Sequence, residues 1–370
     1  MKVGILGGGQ LGLMLARAAR DLDMDSLVLD PKPDAVAGQV AEHLAVDWSD
    51  EAALEMLAAC DVVTYEFENV PTATVERLVE LGVPVHPSPA SLARSGDRLD
   101  EKNLFRSLGI DTAPFAELNE RADLDRAIER IGLPAILKTR RFGYDGKGQA
   151  VLRSPDDVDA GWERLGDQPL ILEGFVPFDR ELSVAAVRGR DGTVRHWPAT
   201  ENQHVDGILH LSRAPAENLS PALFEAAYRG VEALMAKLDY VGVLVVELFQ
   251  IGESLVANEM ACRVHNSTHW TIEGSPTSQF ENHMRAVAGL PLGDTRETGP
   301  AAMINLVGQI PDLDALAGDP EIYVHVYGKS PAPGRKLGHV TVVASDREGL
   351  EDKIRRVLDV VGDRAEDAAS

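Results

Sequence analysis

Residues 241–266 read VGVLVVELFQIGESLVANEMACRVHN, and no other stretch restricts the fold so tightly. Two apolar runs flank Gly252, Glu253 and Ser254, a tight-turn signal, so the segment is expected to be a β-hairpin. Each run carries an acid, Glu247 and Glu259. A hairpin folded about residue 253 sets these two directly opposite. Opposed residues share a face, with Cβ atoms roughly 5 Å apart. Carboxylates that close repel unless a cation sits between them. Such carboxylates also hold magnesium against nucleotide phosphates. The plain alternative is an exposed hairpin with two solvated glutamates, and the apolar flanks weigh against it.

The chain has 370 residues, enough for two or three domains, and its 44% hydrophobic content is enough for real cores. The formal charge of −23 disfavours nucleic acid and anionic lipid as partners. It does not exclude small anions, because a few lysines and arginines can reverse the field inside a cleft. Cys60 and Cys262 are too few for a disulfide framework. No apolar run reaches the roughly 18 residues of a membrane span. The opening MKVGILGGG reads as a strand entering a glycine loop rather than a signal peptide. A reduced, cytoplasmic compartment is therefore expected, and Asn266-Ser267-Thr268 is a chance sequon.

The first hundred residues alternate strand and helix, which implies a parallel sheet covered by helices. Strands are expected at 3–6, 26–30, 61–65 and 84–86, and helices at 11–22, 51–59, 74–81 and, unbroken, 91–108. The pattern restarts with a helix at 123–131 and strands at 135–138, 150–153, 170–173, 181–188 and 194–198. A helix at 221–238 precedes the acidic hairpin. Beyond the GDTRETGP linker lie strands at 302–306, 322–327 and 339–344, and residues 363–370 read as a solvated tail.

Several groups in this order carry chemistry. Gly7, Gly9 and Gly12 follow a strand and open a helix, with Asp30 closing the next strand, which is a dinucleotide fingerprint in outline. An NAD enzyme stays open on that loop alone, yet the same loop serves any phosphate or polar ligand. Lys138 ends a strand and suits either a phosphate contact or plain snorkelling. Gly143, Gly146 and Gly148 lie within Gly143–Gln149, a flap able to lay amides over a triphosphate, or a plain hairpin turn. Glu173-Gly174-Phe175-Val176 reads as a hinge whose backbone meets an adenine edge, and Glu181 could take ribose hydroxyls. Glu247, Asn258 and Glu259 complete the series. Lys329, Arg335 and Lys336 form a basic cluster in an acidic chain, either a phosphate clamp or an exposed turn.

That order resembles the ATP-grasp superfamily, and within it the N5-carboxyaminoimidazole ribonucleotide synthetase family. The matching motifs are GGGQLG (7–12), TYEFENV (64–70), DRLDEK (97–102), GYDGKGQ (143–149), ENQHVDGIL (201–209), NEMACRVHNSTHW (258–270) and YGKSPAPGRKLGHV (327–340). The resemblance implies an α/β and α+β chain in three parts. These are a Rossmann-like pre-ATP-grasp domain (1–101), a central ATP-grasp domain (102–290) and a small C-terminal domain (291–370). It implies a homodimer and ATP-dependent carboxylation of 5-aminoimidazole ribonucleotide by bicarbonate in de novo purine synthesis. Mg2+ is the expected ion, with Mn2+ as a substitute, and no biotin.

Carried onto matched positions, the resemblance assigns Arg98 and Lys138 to the ATP phosphates. The flap Gly143, Tyr144, Asp145, Gly146, Lys147, Gly148 and Gln149 closes over them. Glu173, Gly174, Phe175 and Val176 hold adenine, Glu181 the ribose, and His204 approaches the nucleotide. Glu247 and Glu259 are the metal ligands, with Asn258 beside them. Gln10, Leu11, Glu66, Asn266, Lys329, Arg335 and Lys336 bind the ribonucleotide. Tyr144, Asp145, Arg263, His265 and Lys329 are the candidates around the reacting bicarbonate. Cys262 and Trp270 are read as packing residues.

Two rivals remain at this point. A formate-dependent glycinamide ribonucleotide transformylase shares the loop, flap and basic clamp, but its substrate carries an ammonium that calls for a carboxylate where this chain has neutral Asn266. A nicotinamide-dependent oxidoreductase would use Gly7–Gly12 alone. Gly8 stands where the family often has Asn, and Lys147 where arginine is common. The second change keeps the charge and loses bidentate geometry.

Overall fold

The computed structural model describes residues 1–143 and 147–363. The chain begins with β1 (Lys2–Leu6), α1 (Gln10–Asp21), β2 (Asp25–Leu29), β3 (Glu42–Leu44), α2 (Glu51–Ala58), β4 (Val62–Tyr65), α3 (Thr72–Glu80), α4 (Pro89–Ser95) and α5 (Arg98–Ser107). The strands form a parallel sheet in the order β3-β2-β1-β4. Val3, Ile5, Val62 and Val63 are fully buried, because both faces of such a sheet are covered.

Next come β5 (Phe115–Leu118), α6 (Arg121–Ile131), β6 (Ala135–Thr139), β7 (Gln149–Leu152), α7 (Asp156–Leu165) and β8 (Leu170–Gly174). They make a small antiparallel lobe, ordered β5-β8-β6-β7, with its own core around Leu118, Leu124, Leu137 and Leu172.

The remaining elements are β9 (Arg180–Arg188), β10 (Val194–His196), β11 (Thr200–Val205), β12 (Ile208–Ala214), α8 (Pro221–Lys237), β13 (Gly242–Ile251), β14 (Ser254–Ala261), α9 (Thr271–Gly274), α10 (Gln279–Ala288), β15 (Ala301–Val307), β16 (Ile322–Val326), β17 (Lys336–Val343) and α11 (Arg347–Val361). Nine strands form one sheet, ordered β14-β13-β9-β11-β12-β15-β17-β16 with β10 beside β9. The C-terminal strands are thus a continuation of the central sheet, joined through β12 and β15. One core cluster unites Leu6, Leu27 and Tyr65 of the N-terminal sheet with Leu182, Leu244 and Cys262. Trp270 is fully buried, as a packing residue should be.

Some elements differ from expectation. The single helix at 91–108 is two helices, α4 and α5. Asp97 caps the second, accepting from Leu99 N at 3.0 Å. It is held there by Arg140, 2.8 Å away, and Arg141, 3.1 Å away, so tertiary ion pairs reinforce the break in the helical periodicity. The strand at 84–86 reduces to one bridge, Val63 to Val85. The β11–β12 hairpin was not anticipated, although Asp206 (φ 52°) and Gly207 (φ 74°) make the Asp-Gly turn its sequence signals. The tail beyond Asp363 lies outside the described residues.

The first glycine loop is closed by contact. A Cβ at Gly12 would sit 2.4 Å from the Gly7 carbonyl oxygen, which is backbone and does not yield as a side chain would. Gly12→Ala should therefore cost about 3 kcal/mol of stability. Urea unfolding checks this, and a loss below about 1 kcal/mol would mean the loop shifts freely.

Candidate active site

β13 and β14 are joined by a two-residue turn, Ile251 facing Ser254, and not by the three-residue turn expected at 252–254. Carried on unchanged, that register would put Glu247 opposite Asn258. A β-bulge intervenes: Leu248 pairs with Ala257, Asn258 is the extra residue, and Glu247 pairs with Glu259. The acids therefore do oppose, by a route the sequence did not disclose.

Glu247 is largely buried, while Glu259 is part-exposed with its side chain at 39%. Burial and then the charge of Glu259 raise the Glu247 pKa. Glu259 is itself buried enough to resist ionisation, but Arg98, 2.9 Å away, pulls its pKa down. Two opposed acids thus divide into one that retains a proton readily and one that does not. His265 Nε2 lies 3.4 Å from Glu247, and burial, then Arg263, holds that imidazole well below its ordinary pKa. Among the described residues no three or more His, Cys, Asp or Glu converge as a metal cage. A carboxylate pair is nonetheless the donor set for an ion that takes its other ligands from water and phosphate oxygens.

Behind this pair lies a cationic corner. Lys138, next to last in β6, is buried and donates to Glu173 Oε2 at 2.9 Å. Lys102, on α5, lies 3.5 Å from the same oxygen. Burial opposes charge on Glu173, yet the two lysines hold its pKa down at about 2. Burial lowers the Lys138 pKa, against the pull of Glu173. Arg98, Lys102 and Lys138 here face Glu173 and Glu259, and burial pushes nearby Glu101 up to about 8. The corner is suited to a polyphosphate.

An adjoining pocket is lined by Lys102, Ile136, Lys138, Glu173, Gly174, Phe175, Val176, Phe178, Phe249 and Asn258. It sits between the small lobe and the edge of the large sheet. Phe178 and Phe249 stack at 4.6 Å and 5° beside it. Glu173 Oε1 is buried there with no hydrogen-bond partner among the described residues. Asn258, at the bulge, joins this pocket to the acid pair. His204 Nδ1 is 2.8 Å from Glu181, and although burial disfavours it, the Glu181 hydrogen bond and the charge of Glu247 raise the His204 pKa. Of the flap, Gly143 accepts from Arg98 at 3.2 Å, Gly148 has φ 69°, Lys147 precedes it, and Gln149 pairs with Lys138. Tyr144, Asp145 and Gly146 lie outside the described residues.

The glycine loop at the N-terminus proves to be occupied by the protein itself. Glu66 accepts from Gly9 N at 2.6 Å and Gly12 N at 2.7 Å, and Asp30 accepts from Gly8 N at 2.8 Å. The amides a dinucleotide pyrophosphate would need are bound to carboxylates, which removes the basis of the nicotinamide reading. Lys329 bonds Gln10 at the helix start. The Leu11 side chain lies in the core, so only its backbone could meet a ligand. Burial lowers the Lys329 pKa against the pull of Glu66, and Arg335 and Lys336 push it the same way as burial. Arg335 is exposed and donates to Ser330 O at 2.9 Å. Asn266 and Asn305 exchange amide hydrogen bonds at 3.1 and 2.7 Å, so a neutral pair stands where an ammonium would want a carboxylate. Arg263 reaches Glu68 at 2.9 Å and so is engaged across the interface with the N-terminal sheet. Cys262 is buried between Tyr65 and Ser95, and burial pushes its thiol up to about 12, so it is a packing residue.

Sequence reasoning missed Lys102, Glu101, Phe178, Phe249 and Asn305. Lys102 could have been found, since it stands four residues from Arg98 and shares its helical face. The aromatic pair could not, because its members are 71 residues apart in sequence and meet only across the pocket.

A phosphate-binding corner between a small antiparallel lobe and a sheet carrying paired acids defines an ATP-grasp enzyme. Residues 103–280 match the ATP-grasp domain, residues 1–95 the ribonucleotide synthetase preATP-grasp domain, and residues 301–353 the phosphoribosylaminoimidazole carboxylase C-terminal domain. N5-carboxyaminoimidazole ribonucleotide synthase of Pseudomonas aeruginosa is 50% identical over 96% of this chain and 98% of its own. The crystal structure of the Thermus thermophilus synthetase superposes with a TM-score of 0.93 at 49% identity, covering 98% of this chain and 99% of the other. An Aspergillus clavatus synthase, crystallised with ADP and 5-aminoimidazole ribonucleotide, gives a TM-score of 0.89 at 35% identity over 97% and 98% of the two chains. The chain belongs to the N5-carboxyaminoimidazole ribonucleotide synthase family, the ATP-dependent ligases that carboxylate 5-aminoimidazole ribonucleotide in purine biosynthesis.

Proposed function

We propose that this cleft joins bicarbonate to the exocyclic amine of 5-aminoimidazole ribonucleotide, with ATP cleaved to ADP and phosphate. The observation that carries the reading is the opposition of Glu247 and Glu259 beside the cluster of Arg98, Lys102 and Lys138. Adenine fits the apolar pocket at Glu173–Val176, where the unpartnered Glu173 Oε1 could accept its amine. Glu181 and His204 then border the ribose. A magnesium ion held by Glu247 and Glu259 would supply charge neutralisation between the terminal phosphates.

The chemistry runs in two displacements. A bicarbonate oxygen attacks the γ-phosphorus and the bond to ADP breaks, giving carboxyphosphate. The amine nitrogen then attacks the carboxyl carbon, or that of CO2 released in the closed site. Phosphate leaves, the nitrogen loses a proton, and a carbamate remains. His265 lies 3.4 Å from Glu247; it and Arg263 would border the reacting bicarbonate, and Asn266 the ribonucleotide. Lys329, Arg335 and Lys336 would hold the ribonucleotide phosphate, with Gln10 and Glu66 fixing the neighbouring loop. The neutral Asn266–Asn305 pair suits an aryl amine, which is uncharged at pH 7. Water has to be excluded, since carboxyphosphate hydrolyses readily; that is the role proposed for the Gly143–Gln149 flap.

The division at 1–101, 102–290 and 291–370, the homodimer and the cytoplasmic location belong to the same proposal. Sedimentation of the pure chain tests the dimer. No helix among the described residues is long and apolar enough to cross a membrane. The decisive experiment is ADP release with bicarbonate, formate, 5-aminoimidazole ribonucleotide and glycinamide ribonucleotide added singly and in pairs. Stimulation by bicarbonate with the imidazole substrate is expected. Stimulation by formate with glycinamide ribonucleotide would overturn the reading.

A further inference from the structure

The bulge that brings Glu247 opposite Glu259 needs a restraint, because a ladder that slips by one residue turns every side chain to the other face. β14 is moreover the edge strand of the large sheet, so its outer backbone groups have no neighbouring strand. Helix α5 covers that edge. Lys102, only 1% exposed, donates to the carbonyl oxygens of Asn258 and, at 3.4 Å, of Ala257. Glu101, 2% exposed, accepts from Met260 N at 2.6 Å. The residues on both sides of Glu259 are thus tied to two consecutive side chains of one helix. Just upstream, Ala257 N donates to Asp111 O at 2.7 Å, which anchors the start of the bulge. The same Lys102 ammonium lies 3.5 Å from Glu173 in the adenine pocket. Packing alone does not account for this. A buried ammonium and a buried carboxyl are costly, and an apolar pair would fill the space more cheaply.

We propose that Glu101 and Lys102 are positioning residues that set the register of the Glu247–Glu259 pair and couple it to the adenine pocket through Glu173. The proposal rests on the reading of that pair as cation ligands. It locates the determinant of cation affinity outside the two ligands, in the helix that fixes the bulge.

The test is Mn2+ binding at saturating ADP, followed by water-proton relaxation, which needs no turnover. Lys102→Met and Glu101→Ala should each weaken Mn2+ binding about tenfold or more, as loss of an outer-shell partner does. Metal-free ADP affinity should change by less than about threefold in Glu101→Ala, and Glu101→Gln, which keeps an acceptor for Met260 N–H, should restore Mn2+ binding. Unchanged Mn2+ binding in both variants overturns the proposal, as does loss of ADP affinity without loss of Mn2+ affinity. Should Lys102→Met not fold, Glu101→Ala with its Gln rescue decides alone, and loss of folding in both would assign the clamp to structure and overturn its role at the acid pair. Glu247→Gln in the same titration separates the two levels. If it binds Mn2+ normally, the ligand reading has failed; if it does not, while the α5 variants bind normally, only the clamp falls.

Discussion

Glu259→Gln should reduce ADP formation by about a thousandfold, equivalent to about 4 kcal/mol of transition-state stabilisation, while leaving the fold intact. The substitution keeps shape and removes one charge. It leaves Arg98, which holds Glu259 at 2.9 Å, facing a neutral amide. The charge on the terminal phosphates would then meet one carboxylate's worth of metal binding, and that carboxylate is Glu247, the acid whose pKa burial and its neighbour raise. Bicarbonate-dependent ADP release measures the effect, and the thermal transition checks folding. Turnover within about tenfold of the parent would remove Glu259 from the metal site.

Lys329→Met should raise the concentration of 5-aminoimidazole ribonucleotide needed for half-maximal rate by about a hundredfold, with little change in the requirement for ATP. A lysine bonded to a phosphate through a charge-assisted contact contributes about 2–3 kcal/mol. Lys329 stands where the C-terminal strands meet the start of α1 and bonds Gln10 there. The pocket proposed for adenine lies at the small lobe instead, lined by none of these residues. Steady-state kinetics in each substrate separates the two requirements. Equal increases in both, or none, would remove Lys329 from the ribonucleotide clamp.

Much of this site was legible in the chain because its determinants are local. The hairpin that carries Glu247 and Glu259 follows from two apolar runs and a turn signal. Lys138 and Gln149 fall at strand ends that apolar runs mark. What was illegible depends on distant contacts. The turn is one residue shorter than expected and an unexpected bulge adds one residue, so the two cancel; contacts from α5 to Asn258 and Met260 flank that bulge. The break between α4 and α5 falls at Gly96 and Asp97, a stop-and-start signal that the apolar periodicity overrode, and Arg140 and Arg141 reaching Asp97 reinforce it from a distance. The glycine loop shows the converse. Its motif suggested a pyrophosphate, and only the tertiary fold brings Glu66 to its amides.

The large sheet runs unbroken from the acidic hairpin at β13–β14 to the strand that begins at Lys336. On the proposed reading, the acid pair and Lys336 of the phosphate clamp are therefore mounted on one plate of hydrogen bonds. The span between the proposed metal site and the proposed sugar-phosphate site would then be fixed when the chain folds, as on a gauge block. The small β5–β8 lobe has its own sheet and core apart from that plate, so an opening that admits nucleotide would fall to it, and substrate entry and substrate alignment would belong to different mechanical parts of the molecule.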